Sequence, residues 1–160
     1  LIKGGDEPLY SPASDDCAYH QVIFARGFYA SALHEIAHWC QAGDKRRLLE
    51  DFGYWYIPDG RNEKQQKKFE QVEVIPQAME WAFNVAAGRK FHVSADNLNG
   101  FEGDTASFKS QVYQQALTFV EHGFPKRAQE FIETLSNFYQ TALPLTSTQF
   151  SSQESEYESV

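Results

Sequence analysis

Cysteine is scarce in this chain. Cys17 and Cys40 are its only two in 160 residues, too few for the disulfide framework of a small secreted fold. Both are expected to stay reduced, which points to the cytoplasm. Basic charge is scarce as well: 14 Lys and Arg stand against 22 Asp and Glu, a net charge of −8. Such a chain lacks the continuous cationic surface through which sequence-independent nucleic-acid binders release counterions, so no direct nucleic-acid partner is expected. No apolar run approaches the roughly 18 residues of a membrane span, and the N-terminus lacks the basic-then-apolar order of a secretion signal, so no membrane partner is expected either. Methionine occurs once, at Met79, while the chain opens on Leu1. A truncated or processed product, with a segment missing before Leu1, is the expectation.

What is present is aromatic. Thirteen Phe, eight Tyr and three Trp within 42% hydrophobic residues suffice for one sizeable core, and a second domain would be cramped. One domain is expected over residues 1–146. From Ser147 onward Ser, Gln and Glu dominate, and 147–160 is expected to be a disordered tail.

The most informative string is His34-Glu35-Ile36-Ala37-His38, an HExxH motif. On a helix, residues four apart have Cβ atoms about 5–6 Å apart, so both imidazoles can reach one metal ion. A shuffled chain of this composition would carry the motif about once in a hundred, which sets chance aside. The segment Phe28 to Ala42 has no Pro and ends at Gly43 in the C′ position. It places Leu33, Ile36, Ala37 and Cys40 on one stripe and Ser31, His34, Glu35 and His38 on the opposite arc, the division of a core-packed helix whose polar face meets a cleft.

Around this helix the pattern predicts an α+β, predominantly helical fold with a few short strands flanking the metal-binding helix. Residues 1 to 19 read as loop, broken by Gly4-Gly5, Pro8 and Pro12, and Val22-Ile23-Phe24 as a short strand. Asp44 is expected to cap a short amphipathic helix through Leu48-Leu49 to Phe52, and Gly53 to Gly60 to form an aromatic strand ending in a turn. Tyr54, Trp55 and Tyr56 in it suit either core packing or a pocket wall. Arg61 to Glu70 reads as a solvated, charged face. From Phe69 to Gly88 apolar residues surround a helix axis, with Pro76 either starting the regular helix or kinking it. Two amphipathic helices follow, about Ser107 to His122 and Lys126 to Thr141.

One line on the third helix stays polar: Glu73, Gln77, Glu80 and Asn84. Carboxylates on an otherwise buried helix are costly unless paired or bound to a metal. Two imidazoles leave an ion short of ligands. Glu73, 35 residues after His38, is the expected third ligand, with Glu80 its rival and a core carboxylate paired with Arg the bland alternative. Gln77 and Glu80 otherwise suit accepting a hydrogen bond from an imidazole N–H and so fixing its tautomer. His20 and His122 fall near predicted element ends, where capping or solvation is the simpler role. His92 alternates with apolar neighbours in a predicted strand and is a weaker ligand candidate.

Two His and a carboxylate permit two chemistries. In a zinc peptidase Glu35 is the general base toward metal-bound water. In a non-haem iron oxygenase the same three ligands occupy one face of Fe(II) and leave positions for O2 and substrate. A third reading, a binding protein with a structural zinc, calls for four protein ligands rich in Cys, and Cys17 alone is free off the helix. Ligand identity does not separate the first two.

The wider sequence does. Val22 through Cys40, then Asp51-Phe52-Gly53-Tyr54-Trp55-Tyr56, Pro58-Asp59-Gly60-Arg61, Val72-Glu73-Val74, Pro76-Gln77-Ala78, Ala86-Ala87-Gly88 and Asp96-Asn97-Leu98 resemble the bacterial elongation factor P hydroxylases. The resemblance runs from Leu1 to about Gln149. It implies hydroxylation of the already lysylated lysine of elongation factor P, the last step in maturing that factor, with elongation factor P as protein partner. It also implies that the family's metal motif falls on His34, His38 and Glu73. Iron(II) is the metal the reaction calls for, with O2 as co-substrate, and zinc or another divalent ion can occupy the same ligands in a purified sample. No residue pattern argues for or against 2-oxoglutarate. Glu35 is then expected to orient bound water or O2, or to contact the substrate amine. The acidic balance suits a cationic lysylated loop.

Replacing Glu35 by Gln separates the two chemistries. A peptidase loses nearly all turnover, whereas a hydroxylase keeps its metal and part of its activity, as read by peptide-cleavage and lysine-hydroxylation assays side by side.

Overall fold

A computed structural model describes residues 1–54, 59–95, 100 and 105–154, with side chains through 150. The fold class is α+β and predominantly helical, as expected, with five α-helices and one three-stranded sheet among the described residues. The chain divides into two compact units, Leu1–Trp55 and Tyr56–Val160.

In the first unit, β1 (Ile2–Lys3), β2 (Leu9–Ser11) and β3 (Gln21–Phe24) form a sheet of order β1-β3-β2. The expected strand, β3, is its centre, parallel to β1 and antiparallel to β2, with Ile2 and Leu9 both facing Ile23 in register. The segment 1–19, expected to be loop, therefore holds two strands. They are too short to show any alternation of their own and are strands because β3 supplies their hydrogen-bond partners. Gly4 is where the chain passes closest: a Cβ there would lie 2.5 Å from Cγ2 of Ile23, so only glycine fits.

A single 3-10 turn, Ala25–Gly27, leads into α1 (Tyr29–Gln41). The Ala25 N–H donates to Oγ of Ser31 at 2.9 Å, tying strand to helix. Ala32, Leu33, Ala37, His38 and Cys40 are buried and Ile36 is half-buried, so the apolar stripe turns inward as expected and takes His38 with it. Helix α1 packs on β3. It ends through an extended Ala42, ψ 127°, and Gly43 is not left-handed, contrary to the expected cap.

The helix expected from Asp44 to Phe52 is replaced by two 3-10 turns, Arg46–Leu48 and Glu50–Gly53. The reason is local backbone. Asp51, Phe52 and Gly53 have φ of 46°, 58° and 69°, which no right-handed helix accommodates. Asp44 caps nothing there; it pairs with the Arg47 guanidinium, which also donates to the Ala42 carbonyl. Leu48 and Leu49 stand 70% and 51% exposed instead of facing a core, while Phe52 is buried with Tyr10 and Ala42, against which Val22, Trp39 and Tyr54 pack. Of the expected aromatic strand, 55–58 lie outside the described residues. Tyr54 lies under the Arg46 guanidinium, 4.0 Å from its ring centre, and Gly60 forms the expected bend with φ 74°.

The second unit is built on α2 (Glu63–Ala86), 24 residues long. It begins earlier than the apolar pattern suggests, because Asn62 and Gln65 form a reciprocal capping box. The charged stretch is a helix face with Glu63, Lys64, Lys67 and Lys68 exposed. Arg61 departs from that expectation: it is 1% exposed, donates from Nε to Gln66 at 2.8 Å and lies 3.9 Å over the Phe69 ring. Pro76 neither starts the helix nor stops it and sits buried in its interior. The helix closes at Gly88, φ 65°, with Gly88 N–H on Val85 and Arg89 N–H on Asn84, a Schellman ending.

Helices α3 (Thr105–His122), α4 (Lys126–Tyr139) and α5 (Ser147–Glu154) pack on α2. The first two match the predicted pair. The third corrects the expected disordered tail: Phe150 is fully buried and its ring lies 5.6 Å from that of Trp81, which also stacks on Phe91 at 5.2 Å. The boundary expected at 146/147 is therefore not a boundary of packing; 155–160 lie outside the described residues. Among the described residues no helix is long and apolar enough to cross a membrane.

Phe150→Ala is expected to cost about 3–5 kcal/mol of stability in urea unfolding, a loss that a disordered tail would not produce. Iodoacetamide is expected to label Cys17 alone in the native protein and both cysteines after unfolding, because Cys40 is buried and burial pushes its thiol up to about 12.

Candidate metal centre

Helix α1 does for its two imidazoles what the spacing predicts. Nε2 of His34 and Nε2 of His38 lie 3.1 Å apart, with ring centres 4.7 Å apart and planes at 76°. Two nitrogens each about 2.1 Å from a shared ion, at roughly right angles, are about 3.0 Å apart, so the pair fits one divalent metal without rearrangement. His38 is buried at 7% exposure and His34 is half-buried. Phe52 backs the His38 ring, nearly parallel to it at 6.4 Å between centres. Glu35, the residue between them in the motif, is half-buried.

In the second unit the polar line on α2 is buried throughout: Glu73, Gln77, Glu80 and Asn84. Glu73, at 1% exposure, is the most enclosed carboxylate of the line. Gln77 lies one turn on. Its Nε2 donates to the Ser94 carbonyl at 2.7 Å and stands 3.5 Å from Oε2 of Glu73, while its Oε1 accepts from the Ser94 N–H at 3.0 Å. The amide thus fastens the 91–95 segment to α2 and faces Glu73 as well. Glu80 accepts at its backbone carbonyl from the Asn84 side chain at 2.9 Å.

The other histidines fall elsewhere. His92 is exposed in a segment that is not a strand, because Gln77 takes the Ser94 backbone groups a strand partner would need. His122 is exposed at the end of α3 beside Glu121. His20 is exposed, and its Nδ1 lies 2.8 Å from the Tyr10 hydroxyl. Trp55 and Tyr56, weighed as pocket walls, lie outside the described residues. Sequence reasoning missed the group beside His38: Phe52 faces its ring, Tyr10 stacks on Phe52, and Asp51 accepts from the Tyr10 N–H at 2.8 Å. Nothing in their spacing marked them, since left-handed backbone at Asp51 and Phe52 has no sequence signature. The start of α2 did have one, the Asn62-x-x-Gln65 pattern.

Fold and side chains together describe a small α+β protein whose HExxH helix holds two imidazole nitrogens ready for a divalent metal. The family model for elongation factor P hydroxylase matches residues 1–150. The elongation factor P lysine hydroxylase of Haemophilus influenzae is 59% identical over 141 residues, 88% of this chain and 79% of that protein. The chain belongs to the elongation factor P hydroxylase family.

Gln77→Ala removes both hydrogen bonds to Ser94 and the amide facing Glu73. Isothermal titration is expected to show metal affinity lowered about 10–100-fold, the range seen when groups that orient ligands are removed.

Proposed function

We propose that this protein hydroxylates the lysylated lysine of elongation factor P, the last step in maturing that factor, and that it does so in the cytoplasm with iron(II) held by His34, His38 and Glu73. The observation that carries the reading is 59% identity to a protein named for lysine hydroxylation of elongation factor P. The donor types support the metal: two imidazole nitrogens 3.1 Å apart on α1, and on α2 a buried carboxylate, Glu73. Two neutral imidazoles and one carboxylate suit iron, and zinc or another divalent ion fits the same atoms. When bound, iron(II) supplies the oxygen-activating chemistry, with open positions for O2 and substrate.

The chain's own residues do the rest. His34 and His38 keep their Nε2 lone pairs for the ion, and the Glu73 carboxylate offsets part of its charge. Gln77 holds Glu73 through its amide, and Glu80, next on the same buried line, serves the orientation of the ligands. Glu35 meets the substrate amine or orients a water. A net charge of −8 draws in the cationic lysylated side chain and leaves a nucleic-acid backbone unattracted.

The test is mass spectrometry of lysylated elongation factor P after incubation with the protein, Fe(II), a reductant and O2, beside an anaerobic control and a His34→Ala variant. A gain of one oxygen on the modified lysine, lost in both controls, is expected; cleaved peptide bonds with no oxygen gained would return the chain to the zinc peptidases. Metal titration of His34→Ala, His38→Ala and Glu73→Ala is expected to show binding abolished in the two histidine variants and weakened in the third.

A further inference from the structure

In the first unit four rings form one column from the surface to a residue of the HExxH pair. Exposed His20 stacks on Tyr10 with centres 6.0 Å apart and planes at 15°. Tyr10 stacks on Phe52 at 4.0 Å and 16°, and Phe52 on His38 at 6.4 Å and 15°. The two middle rings are buried. Their placement is held against local preference: Asp51 and Phe52 both take left-handed backbone, φ 46° and 58°, and the Asp51 carboxylate holds the Tyr10 N–H at 2.8 Å. Backbone strain of this kind persists only where surrounding contacts fix it.

The phenol at the centre of the column has an imidazole nitrogen beside its hydroxyl. Its hydroxyl donates to the Arg47 carbonyl at 2.7 Å and lies 2.8 Å from Nδ1 of His20. The Ala13 N–H donates to that same Nδ1 at 3.3 Å, which marks Nδ1 as the unprotonated nitrogen, a base within reach of the phenolic proton once the hydroxyl turns from the Arg47 carbonyl. Burial raises the Tyr10 pKa above its ordinary value, against the opposing charge of Arg47. The phenol is therefore neutral at physiological pH, and oxidising it releases a proton that His20 can receive.

We propose that Tyr10 is a redox relay, passing an electron across Phe52 and His38 to the metal centre and its proton to His20 when O2 has oxidised that centre with no lysine in place. This rests on the metal-dependent reading above. In the step the phenolic O–H bond breaks, the proton moves to Nδ1 of His20 to form an imidazolium, and the electron reduces the metal centre by one equivalent. A neutral phenoxyl radical remains on Tyr10. Phe52 holds its π electrons too tightly to be oxidised and acts as a bridge. A thiol or ascorbate-type reductant from solution, of the class that keeps iron ferrous, returns the electron, and His20 returns the proton. The relay drains oxidising equivalents that would otherwise attack His34, His38 or Trp39.

The experiment exposes the iron-loaded protein to O2 without protein substrate, freezes it for electron paramagnetic resonance, and maps added oxygen by peptide mass spectrometry. Hydroxylation of lysylated elongation factor P is measured on the same preparation. Expected are a tyrosyl radical in the unsubstituted protein, its loss in Tyr10→Phe, which keeps the ring stack, and oxygen accumulating on His34, His38 or Trp39 in that variant. Iron stoichiometry and circular dichroism check the fold. Should Tyr10→Phe not fold, His20→Gln at the exposed end of the column removes the proton acceptor and is expected to lose the radical too. A hydroxylating protein with no tyrosyl radical, or the same tyrosyl signal persisting in Tyr10→Phe, overturns the relay alone. A protein that neither binds iron nor hydroxylates overturns the reading beneath it, and the relay with it.

Discussion

The constraint on which the second unit turns is the burial of a carboxylate. Glu73 lies almost wholly out of water on a helix whose neighbouring positions are packed with Ala78, Met79, Ala82 and Phe83, and an enclosed charge is tolerated only where hydrogen bonds or positive charge meet it. Gln77 is part of that answer, and its grip on Ser94 makes the same amide serve both the carboxylate and the chain path beside it. The remaining polar positions, Glu80 and Asn84, continue one stripe along α2. A helix meant only for a core would have apolar residues there.

Much of this is legible in the residues themselves. The HExxH spacing placed two nitrogens on one face of a helix, and 3.1 Å between them follows from helical geometry alone. The polar line on α2 could be read because polar residues at helical spacing in an apolar run leave few roles open. Gly88 closes α2 with the left-handed turn that glycine favours. In each case the information lay within a few residues of where it acts.

What stayed hidden depends on partners distant in the chain. β1 and β2 are strands because β3 pairs with them, and nothing in two or three residues announces that. Helix α5 is polar by composition, and Phe150 buries its ring against Trp81. Arg61 looked solvated because its neighbours are, yet its guanidinium is enclosed by Gln66 and Phe69. The turn at Asp51 and Phe52 defeated the helical expectation because two non-glycine residues adopt a conformation that tertiary contacts alone sustain.

Pro76 gives α2 a mechanical seam. Lacking an N–H, it leaves the Val72 carbonyl without its helical donor, and so the hydrogen-bond ladder is interrupted at the turn carrying Glu73. On one side of that break the helix is largely wetted; on the other, from Gln77 to Ala86, it is buried. The carboxylate stands three residues before that break. A buried acid thus sits within one turn of the place where the helix passes from its solvated to its enclosed half.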